Sequence, residues 1–308
     1  MVYDIIIPVS AKDISFLPKV LKYIRLNLLE AQTVFIITNK NNFLKINKLL
    51  SYDMTYTIID EDELVEGLTY EWLKEFLRER NVYLRIGWYF QQFLKMGFAN
   101  SKYCNEYYLS WDSDTLPLSH ISFFDEEHPV FTMKKEYHEP YFNTMYKLLG
   151  LKKTVGFSFI AEHMIFKKDF MNELISKIYE STIEGKSWYE KILNACECLE
   201  KPCFSEFETY GTFVWNNYNN YYRTQNLNTF RGAGLIKGRW IDNKTLEKLS
   251  FDLDIASFEL FDKPSFPYSL PYYSDLWKKR WILVRSMSSK ELYKYIIEKI
   301  QKKMHERY

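Results

Sequence analysis

Three short β-branched runs alternate with helical stretches at the start of this chain, and that alternation leaves few ways to fold. Asp4-Ile5-Ile6-Ile7-Pro8-Val9, Thr33-Val34-Phe35-Ile36-Ile37-Thr38 and Tyr56-Thr57-Ile58-Ile59 read as strands closed by turn chemistry. Residues 16–29 and 43–50 between them read as helices. A β-α-β-α-β opening with short loops implies a parallel sheet and right-handed crossovers. The fold class is therefore α/β: a Rossmann-like, mainly parallel central sheet flanked by helices. Ligands of such sheets bind at the carboxyl ends of the strands. That edge would carry Pro8, Ser10 and Asp13 after the first strand and Asp60 after the third, in reach of a base and ribose. No Gly-x-Gly-x-x-Gly follows the first strand, and there is no Gly-Lys-Ser/Thr loop, so neither of those glycine loops holds phosphates here. Arg231-Gly232-Ala233-Gly234 could approach a phosphate, but the pattern is weak.

Tyr107-Tyr108-Leu109-Ser110-Trp111 reads as a further buried strand, and it stops at Asp112-Ser113-Asp114. Two carboxylates so close repel each other, and such pairs usually have a cation between them. Asp112 and Asp114 are the candidate ligands of Mn2+ or Mg2+ with a bound diphosphate, with Trp111 and Ser113 beside them. An ordinary turn is the plain alternative, since Asp, Ser and Thr all favour turns. Upstream, Ile86, Phe90, Phe93 and Leu94 recur at helical spacing as a buried stripe. Trp88, Gln91, Gln92 and Lys95 form a second face. An ammonium at Lys95 suits a diphosphate and an amide at Gln91 suits sugar hydroxyls, against the equal alternative of a solvated face.

Residues 154–166 read as a strand or strand pair interrupted by Glu162 and His163. A buried histidine is more often a satisfied core residue than a ligand, though the charged neighbour favours a cleft. In Ser205-Glu206-Phe207-Glu208, Ser205 and Glu208 fit a capping box, which gives Glu208 a structural task. Glu206 has no such task beyond the favourable end of a helix dipole.

Composition narrows the partners. Net charge is +1, so no basic field points to nucleic acid. Tyrosines number 25 and suit ring-stacking, wet surfaces such as sugar sites, although most pack in the core. Met1-Val2-Tyr3-Asp4 runs straight into a strand without a signal-peptide pattern, and no apolar run reaches the roughly 18 residues that span a bilayer. The expected location is cytoplasmic. Cys196, Cys198 and Cys203 form C-x-C-x4-C without a fourth zinc ligand, so with Cys104 they are expected as reduced thiols. Pro264, Pro267 and Pro271 mark an appended piece, and residues 289–307 a basic amphipathic helix. Its stripe is Tyr293, Ile296, Ile297, Ile300 and Met304, ringed by Lys290, Lys294, Lys299, Lys302 and Lys303. It either packs on the domain or lies on an anionic membrane at the inner face. The expected division is 1–228 for the catalytic domain and 229–308 for a helical C-terminal extension.

The series GWYFQQFLKM, YYLSWDSDT, FSFIAEHMIF and SEFETYG, in that order, resembles a group of bacterial glycosyltransferases of the GT-A fold found with surface-polysaccharide genes. The resemblance covers roughly residues 1–225. It implies a nucleotide-sugar donor, a UDP-sugar first among them, and a saccharide or lipid-linked saccharide acceptor. It implies Asp112 and Asp114 as the metal and diphosphate site, and places His163 and Glu206 near the acceptor and the reacting carbon. Glu206 is the first candidate for general base and Glu208 the second. The alternatives are a nucleotide-sugar-binding module and a nucleotide-sugar hydrolase, neither with transferase activity.

Overall fold

The computed structural model describes residues 1–50, 55–270, 281, 285 and 287–305, with side chains up to residue 297. The alternating runs form β1 (Tyr3–Pro8), β2 (Ala31–Thr38) and β3 (Tyr56–Asp60), with α1 (Leu17–Asn27) and α2 (Phe43–Leu49) crossing between them. Then come α3 (Tyr70–Glu79), α4 (Ile86–Gly97) and β4 (Tyr107–Trp111). Next along the chain are β5 (Thr115–Pro117), β6 (Phe124–Asp125), β7 (His128–Thr132), α5 (Glu139–Leu149) and β8 (His163–Lys167). After these stand α6 (Lys168–Glu180), α7 (Trp188–Ala195), α8 (Glu206–Asn217), β9 (Arg223–Gln225), β10 (Thr229–Phe230) and β11 (Ile255–Ser257).

The central sheet runs β3-β2-β1-β4-β8. β1, β2, β3 and β4 are parallel, and β8 lies antiparallel along β4 with Trp111 opposite His163. Every residue of β4 is buried, as is β1 from Tyr3 to Ile7. Strands so covered have packing on both faces, which is why they read as unbroken apolar runs. This is the α/β architecture with a mainly parallel central sheet that the alternation predicts. Because β1 to β4 run the same way, Ser10, Asp60 and Asp112 all lie at the carboxyl ends of their strands. α4 lies against β1 and α8. The Tyr108 hydroxyl donates to the backbone oxygen of Lys95 at 3.0 Å, which ties α4 to β4 below the Asp-x-Asp turn.

One local expectation changes, and one element is new. Residues 157–162 are not strand: Ser158 makes an isolated bridge to Lys134, and the strand proper begins at His163. α3 lies in a stretch with no expectation attached. Thr69 caps it by accepting the Trp72 N–H at 3.1 Å, and it buries Leu73 and Leu77. The four cysteines are unbridged.

The chain forms two compact units, residues 1–231 with 243–257, and residues 232–242 with 258–308. Part of the chain beyond residue 228 thus belongs to the first unit, where β11 pairs parallel with β10 and antiparallel with β5. Within the second unit, Gly232 bridges Phe258, and Asp262 closes on Gly234 so tightly that a Cβ there would meet its Oδ2 at 2.5 Å. The last helix, Ser289–His305, opens on a capping box: the Ser288 N–H donates to Glu291 Oε2 at 2.6 Å, and the Glu291 N–H returns to Ser288 Oγ at 3.5 Å. Tyr293 and Ile296 on it are 70% and 47% exposed. The side chains of Lys299, Ile300, Lys302, Lys303 and Met304, as well as Pro271 and Arg307, lie outside the described residues. Among the described residues, no helix is long and apolar enough to cross a membrane.

Candidate active site

Asp112, Ser113 and Asp114 form a half-buried turn at the carboxyl end of β4. Three bonds set its shape. The Asp112 N–H donates to Glu162 O at 3.0 Å, the Thr115 N–H donates to Asp112 O at 3.2 Å, and Trp111 Nε1–H donates to Thr115 O at 2.9 Å. Thr115 Oγ1 stands 3.5 Å from Asp114 Oδ1 and 2.8 Å from Ser257 Oγ, so the turn leans on β11.

Lys95 of α4 is ion-paired with the turn. Its Nζ lies 3.0 Å from Asp112 Oδ1 and 3.0 Å from Glu206 Oε1, and 4.4 Å above the Phe207 ring. Burial opposes the charge on Lys95, but the two carboxylates outweigh it and raise its pKa above the ordinary lysine value. Glu206 is the first residue of α8 and is buried. Its backbone N–H donates to Gln92 Oε1 at 3.1 Å. Gln92 and Lys95, three apart on α4, therefore hold both the backbone and the carboxylate of Glu206. The amide that reaches the site is Gln92, not Gln91, which is half-buried on a neighbouring face.

A second charged group backs the turn. Glu162, 3% exposed, takes Lys134 Nζ at 3.3 Å and Arg231 Nε at 2.6 Å, and Arg231 also pairs with Glu136. Burial opposes the charge on Glu162, but Lys134 first and Arg231 second outweigh it and hold the carboxyl below its usual pKa. Arg231 also feels Asp112. Sequence reasoning reaches Arg231 only through a weak phosphate-loop pattern and Glu162 only as a cleft residue. Lys134 and Glu136 lie in an irregular, charged and aromatic stretch, residues 134–146, of a make-up that often carries recognition, but no pattern in the sequence marks either one by itself.

Three expected site residues are placed in the core. Trp111 is fully buried, stacked on the His163 ring at 5.2 Å, and it braces the turn rather than facing a donor. His163 is 2% exposed, shares a 2.9 Å hydrogen bond with Thr132 Oγ1, and burial lowers its pKa to about 4. A ring so enclosed is a neutral packing residue. Glu208 is 1% exposed, and its carboxylate accepts from Lys153, from Ser158 Oγ at 3.0 Å and from the Phe159 N–H at 3.0 Å. Only half of the expected capping box forms: Ser205 Oγ accepts the Glu208 N–H at 3.2 Å, while the carboxylate pins the loop before β8.

At the other strand ends, Ser10 Oγ donates to Asp13 Oδ2 at 2.5 Å in the turn entering α1. Asp13 is buried and Ser10 exposed. Asp60 Oδ1 accepts the Asp62 N–H at 3.3 Å, and Pro8 is half-buried at the end of β1. Beside Asp60, burial is the main cause that raises Glu61 to about 7, and the neighbouring acids add to it.

Among the described residues, no group of three or more His, Cys, Asp or Glu converges closely enough to hold a metal by itself. The donor chemistry of the turn is nonetheless oxygen-only, which is what Mn2+ and Mg2+ take. Asp112 and Glu206 share Lys95, Glu162 takes Lys134 and Arg231, and Glu136 takes Arg231 as well, so the carboxylates beside the turn are held in one ion-paired group. A divalent ion on Asp112 and Asp114 would need a ligand's own oxygens to complete its shell.

A mainly parallel sheet flanked by helices, and an ion-paired carboxylate at the end of its fourth strand, make this an α/β protein with a polar cluster at the strand ends. The chain belongs to the Family of unknown function (DUF6492), whose sequence pattern matches residues 11–249. No curated protein matches it. Among solved structures it is similar to the galactosyltransferase LgtC in complex with donor and acceptor sugar analogues. The identity is 9% over 89% of this chain and 94% of that one, with a TM-score of 0.40. A likeness that loose assigns no activity.

Proposed function

We propose that this chain is a GT-A glycosyltransferase of the surface-polysaccharide group, acting on the cytoplasmic side. It moves a sugar from a nucleotide-diphosphate-sugar, a UDP-sugar first, to a saccharide or lipid-linked saccharide. The observation that carries the reading is the chain Asp112–Lys95–Glu206 at the carboxyl edge of β4, two carboxylates each 3.0 Å from one buried ammonium. It ties a candidate metal ligand and a candidate base to one buried charge. Asp112 and Asp114 would hold Mn2+ or Mg2+ against the donor's diphosphate. When bound, the ion neutralises charge on the leaving group.

The chain's own residues do the rest. Lys95 fixes Asp112 and Glu206 relative to each other. Pro8, Ser10, Asp13 and Asp60 line the strand ends where the nucleoside lies, with Ser113 at the diphosphate. If the reaction inverts the anomeric carbon, Glu206 takes the acceptor hydroxyl's proton. If it retains configuration, Glu206 positions that hydroxyl. Trp111, His163 and Glu208 act from behind, by holding the turn and the loop. The C-terminal helix rests on the inner membrane surface, where a lipid-linked acceptor would be.

One observation favours a second reading. An ammonium already on Glu206 competes with the proton a base must take, and a site so paired binds a nucleotide-sugar without transferring it. Release of UDP or GDP, measured with and without acceptor, separates the readings: transfer needs acceptor, hydrolysis does not, and a binding module releases nothing. A Glu206→Gln variant should keep nucleotide affinity and lose turnover. Full turnover in that variant removes Glu206 as the base.

A further inference from the structure

Trp88, Gln92 and Lys95 recur at helical spacing on one face of α4, so they line up from the rim of the site to its floor. Lys95 is buried and Gln92 is buried, and both hold Glu206. Trp88, one turn toward the start of the helix, is half-buried, and its backbone oxygen accepts Gln92 Nε2–H at 3.2 Å. α5 delivers a second ring to the same place. Tyr141 stacks on Trp88 with the planes 19° apart and centroids 6.4 Å apart. His138 packs edge-on to Tyr141 at 4.4 Å, and its Nε2 lies 2.8 Å from Pro202 O, just ahead of Ser205 and Glu206. The segment carrying Tyr141 is thereby fastened to the one carrying Glu206.

We infer that Trp88 and Tyr141 form the acceptor subsite, a two-ring shelf that takes one neutral sugar ring and directs its hydroxyl toward Glu206. This rests on the transferase reading and adds where the acceptor sits. Aromatic faces take the C–H face of a pyranose, and the polar tip of Tyr meets a hydroxyl. The carboxylates nearby suit hydroxyl donors. Glu136, ion-paired with Arg231 and 45% exposed, supplies one besides Glu206. Burial first, then Glu206 and then Glu136, push the Tyr141 phenol up to about 12, so at neutral pH it keeps its proton and donates. A nucleobase also stacks on rings, but it offers few donors to two carboxylates.

The test uses the full chain labelled with 5-fluorotryptophan and followed by fluorine NMR. The protein has eight tryptophans, and Trp88→Phe identifies the resonance of Trp88 by its loss. Probes are glucose, galactose, N-acetylglucosamine and lactose, uridine, and UDP with Mn2+. The expected result is that at least one saccharide shifts the Trp88 resonance and uridine does not. Tyr141→Ala should weaken that saccharide about tenfold while leaving the UDP affinity unchanged. A shift by uridine instead assigns the shelf to the base and overturns the inference, as does a Trp88 resonance that no saccharide moves. If Tyr141→Ala fails to fold, the wild-type shifts decide alone. Failure of UDP to bind the wild type would instead remove UDP as the donor nucleotide and leave the shelf to be decided by the saccharides.

Discussion

Lys95 keeps its charge where burial alone would remove it, because Asp112 and Glu206 each stand 3.0 Å from its Nζ. Taking the ammonium away leaves two carboxylates facing each other without a counter-ion. Lys95→Met should therefore cost roughly 3–5 kcal/mol in urea unfolding, the usual penalty for breaking a buried pair. A loss below about 1 kcal/mol would mean the pair is not closed in solution. His163 gives a pH dependence with a definite sign. Its pKa falls to about 4 in the fold, against about 6.5 when exposed. Above pH 6.5 neither state is protonated and the contribution is complete. Between 6.5 and 4 only the unfolded state gains the proton, so stability falls as pH drops, by roughly 3 kcal/mol in all. Replacing His163 with Phe should remove that loss and leave the opposite rise from Glu61, whose raised carboxyl takes up its proton first in the fold, as read by denaturant titrations at pH 7 and pH 5. The residue types at the site are legible in the sequence, but their tasks are not. A carboxylate or imidazole looks the same whether it faces ligand or core, which is why Glu208 and His163 read as catalytic. Gln91 and Gln92 differ by one step, about 100° around a helix, and only the packed helix shows which one meets α8.

The strands β1, β2, β3 and β4 are legible as elements because β-branched and aromatic runs bounded by turn residues have few other uses. The stretch 157–162 misleads for a related reason. It is apolar enough for a strand, but the Ser158 hydroxyl and the Phe159 N–H are satisfied by Glu208 rather than by a ladder. That arrangement depends on a close approach by α8. A Cβ on Gly211 would stand 2.3 Å from the Phe159 ring, so no side chain fits there without moving the loop. In a solvated helix, Gly→Ala gains close to ~1 kcal/mol. Here Gly211→Ala should instead destabilise by about 1–3 kcal/mol, as overpacked cores do. A higher melting temperature in that variant would show that the loop does not lie against α8.

At the scale of the whole chain, alternation of strands and helices is enough to reach a mainly parallel sheet. It does not show that residues 243–257 return to the first unit, because β11 is three residues long and its register with β5 is set by tertiary pairing. The functional account reduces to one claim, that Asp112 and Asp114 hold a divalent ion against a nucleoside diphosphate. Calorimetric titration of UDP, GDP, CDP and dTDP into the protein, with Mn2+ and then with chelator, tests it directly. The account predicts that at least one diphosphate binds with Mn2+, loses about tenfold or more in affinity with chelator, and loses the same in Asp114→Ala without chelator. Equal affinity with and without the ion, or in Asp114→Ala, would contradict it.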